Sequence, residues 1–420
     1  MKDYISENKK EIIDLGYNLF THPQLGYKEF INKKTLCEYF EKYGFRIENE
    51  CFETAFTVSI GKGKPHIGLI AELDALPTLG HKYANPEDNN AAHSCGHSTQ
   101  CAIQAAVMVA LRQRNISKGK VTLFFTPAEE YTDIEYRKKL IKEKKIDYIG
   151  GKQNMIKKGL FDDVDCLIHL HTMSSPEYHY CVNTKMGGFV YKKITFLGKA
   201  AHAAVAPYAG VNALNAFNLF LNAVNALRET FKEEDSVRVH GIIDEGGQTV
   251  NSIPERVVYE CYVRSFTLDK ILEVSKQIDN AAKCCAKAIG ARAIVETQPG
   301  YLPTIQSDAL NAIVLEHMLK NYRREEIEID SSSMAAADLG DLSLMKPLIQ
   351  LGYGGFKGVA HSKDLEVIDE ERVYIETAQL IEEIVLDLLE HKEKVEKIKK
   401  EFRPKIDKEE YLEMMRFKVK

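Results

Sequence analysis

The chain has 420 residues, of which 45% are apolar and 28% are charged, a composition typical of globular proteins. This length predicts two domains rather than a single core. The net charge of -5 argues against a nucleic-acid or membrane-surface binder, and no apolar run approaches the ~18–20 residues of a membrane span.

The N-terminus and the cysteines indicate the cellular compartment. The opening segment, MKDYISENKKEIID, is polar and amphipathic and lacks the apolar stretch of a signal peptide. The nine cysteines are odd in number and show no paired short spacing, which favours reduced thiols over a disulfide framework. We therefore expect a soluble, cytoplasmic protein with no nucleic-acid or membrane partner.

The first part of the chain alternates helical patterns with short apolar runs. Helical spacing covers residues 4–20 and 27–44, the second ending at Gly44, and an Ala-rich segment predicts a buried helix over 98–113 with Ser98 as its N-cap. The runs typical of buried strands are HIGLIAELDALP (66–77), KVTLFFTP (120–127), DCLIHLHT (165–172) and PLIQLGYGG (347–355). This alternation predicts an α/β fold with a mostly parallel sheet flanked by helices.

A different pattern occupies residues 187–298. Its order of strand, helix, two strands, helix and strand is ferredoxin-like, with the first long helix over 210–231. We interpret this region as an α+β domain inserted into a first domain built from residues 1–186 and 299–395. The charged remainder, 396–420, is predicted to be an exposed helical extension.

Most candidate metal-binding groups lie where the predicted strands end or in the loop that follows, the edge at which open α/β sheets bind ligands, while Cys95 and His97 lie in the loop before the Ala-rich helix. In chain order these groups are Asp74, Cys95, His97, Glu129, Glu130, His169, His171 and His361. Any one of them alone is expected to be solvated or to cap a helix. Two adjacent buried carboxylates, however, need a cation or protons, and a thiolate and imidazoles supply further ligands for a cation. The sequence therefore predicts a metal site.

Two alternatives remain open at this point. Cys95 permits a metal-independent thiol hydrolase, although a base only two residues away, His97, is poorly placed to activate it, and joint ligation explains both residues. His169 and His171 lie two residues apart on one strand and point the same way. The residues alone do not choose between these two histidines.

Nine short motifs occur in order over residues 10–390. They are THPQLGYKE, AELDALP, HSCGH, TPAEE, HLHT, GKAAHAAVAPYAGVNAL, GGQTVNSIPE, DLGDLS and the HS that begins at His361. Together they resemble the metal-dependent amidohydrolase and carboxypeptidase family that includes hippurate hydrolase, N-acyl-amino-acid amidohydrolases, auxin-conjugate hydrolases and p-aminobenzoyl-glutamate hydrolase.

The resemblance implies a two-metal hydrolase that cleaves the amide bond of small N-acyl amino acids or peptide-like substrates. It implies that Glu129 is the general base and that Asp74 belongs to the catalytic set. The implied metal ligands are Cys95, His97, Glu130, His171 and His361. This mixture of thiolate, imidazole and carboxylate suits two divalent zinc ions, with manganese, cobalt or nickel as other choices.

The resemblance also gives the inserted domain a role, as a lid over the substrate and as the interface of a homodimer. His202 would donate to the developing oxyanion, Arg264 would bind a substrate carboxylate and Asn251 would help to bind the substrate. Hinges are expected near 184–187 and 298–303. The alternative is that these three are ordinary exposed polar residues on a dimerising sheet.

The chain departs from the family's pattern at positions other than the implied ligands. Where the family usually has Asp, His, an acidic residue and Ser or Thr, this chain has, in that order, Ser98, Gln100, Gly80 and Ala337. A catalytically idle homologue that binds metals or partners is therefore an alternative. The presence of both Glu129 and Glu130 argues against it, because an idle protein needs no base beside a ligand.

Overall fold

Helices and strands alternate along most of the chain in the computed structural model, which describes residues 3–173 and 177–416 and the backbone of 418–419. The helices are α1 Tyr4–Glu7, α2 Lys9–Thr21, α3 Phe30–Lys42, α4 His97–Gln113, α5 Ile134–Lys142, α6 Gly151–Lys158, α7 Ala213–Arg228, α8 Leu268–Ala288, α9 Asp308–Asn321, α10 Leu339–Ser343, α11 Thr377–Glu390, α12 Lys392–Glu401 and α13 Lys408–Met414. The strands are β1 Glu48–Cys51, β2 Ala55–Gly61, β3 His66–Glu72, β4 Leu76–Pro77, β5 Ala91–Ala92, β6 Lys120–Thr126, β7 Cys166–Thr172, β8 Tyr180–Val182, β9 Lys185–Met186, β10 Gly188–Leu197, β11 Arg238–Glu245, β12 Arg256–Ser265, β13 Arg292–Pro299, β14 Ile327–Ile329, β15 Ser332–Ser333, β16 Leu348–Tyr353, β17 Phe356–Lys357, β18 Glu366–Val367 and β19 Lys418–Val419.

The chain forms two compact units. Unit 1 consists of Met1–Lys185, Ile305–Ser332 and Asp341–Lys408. Unit 2 consists of Met186–Thr304, Ser333–Gly340 and Glu409–Lys420. The predicted inserted region, 187–298, thus lies within unit 2, which also takes two short segments from later in the chain.

The large sheet of unit 1 has the order β1-β2-β6-β3-β7-β16-β8-β14. Its central strands β6, β3, β7 and β16 run parallel, whereas β1, β2 and β8 pair antiparallel with their inner neighbours. The predicted α/β class is confirmed, but the sheet is mixed because antiparallel strands flank the parallel centre.

The parallel centre is buried, as its apolar sequence predicts. Every residue of β3 is buried, and helix α4 packs against β3 as well as against α2 and α11. All side chains of α4 from His97 to Leu111 are buried, which explains its small alanine side chains. This packing fixes the start of α4 at the edge of the sheet.

The start of α4 differs from the sequence prediction. The helix begins at His97 and its N-cap is Gly96, so Ser98 is a buried residue of the first turn and not the cap. Gly96 has φ 77°, and a Cβ there would lie 2.0 Å from the Cγ2 of Thr172. Glycine adopts this left-handed conformation without strain, and the closeness of Thr172 leaves no room for a larger residue, which explains a glycine at this cap.

Unit 2 contains the sheet β11-β12-β10-β13-β19, in which each described pair of strands is antiparallel. Helices α7 and α8 pack against each other and against this sheet. The order of elements from β10 to β13 is the predicted strand, helix, two strands, helix and strand. Its core is made of apolar residues of alternating burial, such as Ile194 and Phe196.

Other differences from the sequence prediction are local. The expected helix over 4–20 is interrupted at Asn8, that over 27–44 begins at Phe30, and that over 210–231 is shorter at both ends. The charged extension is helical but only partly exposed, since Ile398 and Tyr411 are buried. In the described part of the chain, no helix is both long and apolar enough to cross a membrane.

Candidate active site

The candidate ligands reach one edge of the unit 1 sheet from four places in the chain. Cys95 lies in the loop before α4, and His97 is the first residue of that helix. Glu130 follows β6 and His171 lies in β7. His361 comes from the loop after β17, where its backbone N–H donates to the carbonyl of Ser94 at 2.7 Å.

These side chains form two groups that share one thiol. In the first, the ligand atoms of Cys95, His97 and His171 all lie within 4.8 Å of one another, with Cys95 Sγ 3.4 Å from His171 Nε2. In the second, Cys95 is joined by Glu130 and His361, whose Oε1 and Nε2 are 3.3 Å apart. Sulfur, nitrogen and oxygen donors at such distances match the ligands of transition-metal ions.

The imidazoles are oriented by the backbone behind them. His97 Nδ1–H donates to the carbonyl of Asp74 at 2.8 Å, and His171 Nδ1–H donates to the carbonyl of Thr172 at 2.8 Å. Each Nε2 is then left with its lone pair facing the cluster, the tautomer that metal-binding histidines adopt.

Buried polar atoms in the cluster fit a cation. Among the described residues, His97 Nε2 and Glu130 Oε1 are buried and make no well-aligned hydrogen bond, although His97 Nε2 lies 3.2 Å from Glu72 Oε2 and Glu130 Oε1 lies 3.3 Å from His361 Nε2. Such atoms are costly to bury, because poorly aligned contacts replace only part of the water that they have lost. A divalent ion held by these donors would satisfy them, so the residues present fit a metal site.

The electrostatics of the cluster also favour a cation. Burial alone would raise the pKa of the Cys95 thiol, but His171 and His97 lower that pKa to about 6. The closeness of Cys95 and Glu130 raises the pKa of His361 to about 10. The site therefore stabilises a thiolate and positive charge beside it.

Asp74 and Glu129 lie beside the ligands. Asp74 is fully buried, and its Oδ2 accepts the backbone N–H of Glu130 at 2.9 Å. Glu129 is also buried, with its Oε2 3.9 Å from His97 Nε2. The structure thus brings Asp74 against the backbone of one predicted ligand and Glu129 against the side chain of another.

A buried ionic network under His97 was not predicted from the sequence. Glu72 accepts from Lys152 Nζ at 2.6 Å and from Gln100 Nε2 at 3.1 Å, and both charged side chains are fully buried. His169 Nε2 lies 3.2 Å from Glu72. His169, the alternative to His171 as a candidate metal ligand, therefore faces this network.

Glu72 forms a third group of potential ligands with His97 and Glu129. We do not count it as a metal ligand, because the ammonium of Lys152 already neutralises its charge. Burial would raise the pKa of Glu72, but Lys152 and the neighbouring imidazoles hold that pKa well below its usual range. Glu72, a charged residue at the end of the apolar strand β3, was the sequence signal that a buried partner is needed there, although it does not identify that partner.

The other predicted residues lie in unit 2. His202 is exposed, and its Nδ1 accepts the backbone N–H groups of Ala204 and Val205. Asn251 is exposed in the neighbouring segment, where its carbonyl accepts the N–H of Ala203 at 2.9 Å. The structure thus brings the segments of His202 and Asn251 together.

Arg264 occupies a different environment of unit 2. Its guanidinium lies 5.0 Å from the ring centroid of Phe189 and 5.1 Å from that of Tyr262. Its Nη1 donates to the carbonyl of Met334 at 3.0 Å, and among the described residues no carboxylate pairs with it. Burial lowers the pKa of Arg264.

Known proteins share this fold and a minor part of this sequence. The structure of YXEP from Bacillus subtilis, described as a dinuclear metal-binding peptidase of the M20 family, has a TM-score of 0.72 and 20% identity over 92% of this chain and 99% of its own. Human Xaa-Arg dipeptidase is 25% identical over 441 residues, or 97% of this chain and 92% of the human protein. One of the subunits of p-aminobenzoyl-glutamate hydrolase from Escherichia coli strain K12 is 28% identical over 70% of this chain and 58% of its own length.

The fold, the clustered donors and these similarities define the class of the protein, a metal-dependent hydrolase that acts on amide bonds. The chain belongs to the peptidase family M20/M25/M40, which it matches over residues 68–387. That span includes both groups of potential metal ligands that share Cys95.

Proposed function

We propose that the protein hydrolyses the amide bond of small N-acyl amino acids or dipeptide-like molecules, with two divalent ions bound at the shared thiol. One observation carries the proposal: Cys95 belongs both to the group with His97 and His171 and to the group with Glu130 and His361. Because one thiol belongs to both groups, these residues would hold two ions close together. Zinc suits these donors, with manganese, cobalt and nickel as further candidates.

Glu129 is proposed as the general base. Bound divalent ions would polarise the scissile carbonyl and make a water easier to deprotonate. Glu129 would accept the proton of the attacking water and pass it to the leaving amine. Its carboxylate lies near His97 but belongs to neither group that shares Cys95, which suits a base beside the ligands. Asp74 would keep Glu130 and His97 in place through its backbone and side-chain contacts.

The substrate class is supported by the names of the relatives. One is named for dipeptides of the form Xaa-Arg, and another for p-aminobenzoyl-glutamate. Each name describes a small amide that contains an amino acid. We propose a substrate of this class for the present chain, and the net charge of -5 supports neither a nucleic-acid nor a membrane partner.

Unit 2 is proposed to bind the substrate's polar groups as a lid. The Nδ1 of His202 accepts two backbone N–H groups, so its proton is on Nε2, where it would donate to an oxyanion. Arg264, with a desolvated guanidinium and no acidic partner among the described residues, suits a substrate carboxylate. Asn251 would contribute an amide from the segment beside His202.

Unit 2 is also proposed as the interface of a homodimer. Strand β11 lies at the edge of its sheet, and its Ile242 and Ile243 side chains are 66% and 51% exposed. An exposed edge strand with apolar side chains is a template for pairing with another chain.

The nine cysteines are all free thiols, which supports a reducing compartment and therefore the cytoplasm.

The roles of the two adjacent glutamates give the test of this proposal. Glu129→Gln cannot accept a proton and should lower kcat by about 10²–10⁴, with the metal content nearly unchanged. Glu130→Gln should instead lose metal, because it removes a charged ligand. Amine release from N-acyl amino acids and dipeptides, read beside the metal content of each variant, distinguishes them, and exchanged phenotypes would reverse the two roles.

The same assay separates the alternatives. A metal-independent thiol hydrolase would lose activity with iodoacetamide and keep it with a chelator. A catalytically idle homologue would bind metal and release no amine from any substrate of the panel. The proposal requires loss of activity on chelation and its return with added zinc or manganese.

A further inference from the structure

The turn that carries Glu129 and Glu130 has a strained backbone. Ala128, the residue before them, has φ 55°, in the left-handed region that favours glycine. For an alanine this conformation is unfavourable, and it persists only where the surroundings impose it. What surrounds this turn therefore decides where the two glutamates point.

Glu29 holds one side of the turn. This carboxylate is fully buried, and its Oε1 accepts the backbone N–H of Ala128 at 3.0 Å. Its Oε2 accepts the hydroxyl of Thr54 at 2.5 Å. Both oxygens of the Glu29 side chain are thus engaged, and one of them binds the N–H of Ala128.

Arg137 holds the other side. It is fully buried, with Nη1 donating to the carbonyl of Ala128 at 3.3 Å and Nη2 donating to the carbonyl of Glu130 at 2.5 Å. Asp74 accepts the N–H of Glu130 at 2.9 Å. The backbone N–H and carbonyl groups of both Ala128 and Glu130 are therefore bound by the buried side chains of Glu29, Arg137 and Asp74.

Glu29 and Arg137 together form a clamp on the turn at Ala128. The motif LGYKE near the N-terminus leaves space for this clamp. A Cβ at Gly26 would lie 2.5 Å from Arg137 Nη2 and 2.7 Å from the Cα of Ala128, so a larger residue does not fit. The ring of Tyr27 lies 5.7 Å from the Arg137 guanidinium. Gly26, Tyr27 and Glu29 thus all lie close to Ala128 or to the Arg137 side chain that binds the turn.

We infer that Glu29 and Arg137 are positioning residues of the hydrolase. They hold the turn so that its two adjacent glutamates, Glu129 and Glu130, lie against different histidines. Glu130 Oε1 lies 3.3 Å from His361 Nε2, whereas Glu129 Oε2 lies 3.9 Å from His97 Nε2. The inference rests on the proposed function for what these two glutamates do. The clamp itself is a property of the protein without metal.

The physical consequence is a coupled loss. If Ala128 relaxed to a right-handed backbone, the following residues would rotate together, and ligand and base would both move. Side chains that orient metal ligands typically contribute a factor of about 10–100 in metal affinity or activity. Loss of the clamp should therefore weaken metal binding and lower kcat, with little change in KM.

Glu29→Met tests this directly, because methionine fills the space but accepts no hydrogen bond. Glu29→Gln is the conservative rescue, since its amide oxygen still accepts the Ala128 N–H although its charge is gone. Glu382→Met is the matched control: Glu382 is a buried carboxylate paired with Arg114 at 2.6 Å and contacts no part of the turn.

Two readouts are compared across the variants. Hydrogen exchange of the peptide 126–132 in chelator-treated protein should rise in Glu29→Met and stay at the wild-type level in the other two variants. Zinc affinity by competition with a chromophoric chelator should fall about 10–100-fold in Glu29→Met and return close to wild type in Glu29→Gln. If Glu29→Met does not fold, Arg137→Lys, which keeps the charge but cannot span two carbonyls, should show the same pattern.

Equal exchange of 126–132 in Glu29→Met and Glu382→Met would overturn the inference. So would an equal loss of zinc affinity in Glu29→Met and Glu29→Gln, because charge rather than the hydrogen bond would then be responsible. A wild-type protein that binds no zinc would contradict the proposed function instead. The exchange comparison, made without metal, would still decide whether the clamp exists.

Discussion

The buried ion pair beneath the site gives a quantitative prediction for Lys152→Met. Lys152 and Glu72 are both fully buried, with Nζ and Oε1 2.6 Å apart. Methionine matches the lysine stem in size but leaves the carboxylate without its counter-charge. The remaining partners of Glu72 are Gln100 and the imidazoles of His169 and His97.

The size of the effect follows from the geometry. At 2.6 Å and an effective dielectric constant of about 20, two unit charges attract by roughly 6 kcal/mol. Part of this is offset by the desolvation of Lys152 that the variant no longer incurs, and Gln100 still donates to the carboxylate. We therefore expect Lys152→Met to destabilise the protein by about 3–5 kcal/mol, the usual cost of removing one partner of a buried pair.

The assay is urea unfolding followed by far-UV circular dichroism with chelator present, so that metal binding does not contribute. Glu72→Gln and the double variant complete a double-mutant cycle. The loss of stability in the double variant should be smaller than the sum of the two single losses by about 2 kcal/mol or more. A loss below about 1 kcal/mol for Lys152→Met would refute the reasoning, as would additive losses around the cycle.

Two further predictions concern a histidine and an arginine. Burial, with Lys120 and Lys64 nearby, lowers the pKa of His66 to about 4, below the ~6.5 of an unfolded chain, so its neutral form contributes stability above pH 6.5 that is lost as the pH falls towards 4. In His66→Gln, the free energy of unfolding should fall by about 1–3 kcal/mol less between pH 6.5 and pH 4 than in the wild type, as measured by urea unfolding of chelator-treated protein. An unchanged pH dependence would contradict the assignment. Arg264→Ala should raise KM roughly tenfold or more for substrates with a free carboxylate and hardly change it for their amidated forms. Equal loss on both forms would show that Arg264 does not bind the carboxylate.

The sheet was predictable because its strands are short apolar runs. β3, β6 and β7 are buried along nearly their whole length, so their sequences lack the alternation of half-exposed strands and stand out between polar turns. Parallel strands place their carboxyl ends together, and from the sequence this rule predicts His171 and Glu130 at one edge of the sheet. Their role as metal ligands stays a prediction.

The features that could not be predicted from the sequence depend on contacts between residues that are far apart in the chain. Lys152 and Glu72 are 80 positions apart, and neither residue carries a local signal of its partner. The cap of α4 is Gly96 rather than Ser98, and the space at Gly96 is limited by Thr172 of β7, which is distant in the chain. Such contacts arise only when the sheet assembles, so propensity and spacing cannot predict them.

The most direct test of the account is the metal content of Cys95→Ala. Both ligand groups contain this thiol, so the variant should lose most of both ions and its amide hydrolysis, whereas the wild type should carry two divalent ions per chain. Cys101→Ala is the control, because Cys101 is a buried thiol that donates to the Glu72 carbonyl and belongs to neither group. Elemental analysis showing two ions in Cys95→Ala, with hydrolysis intact, would contradict the central claim.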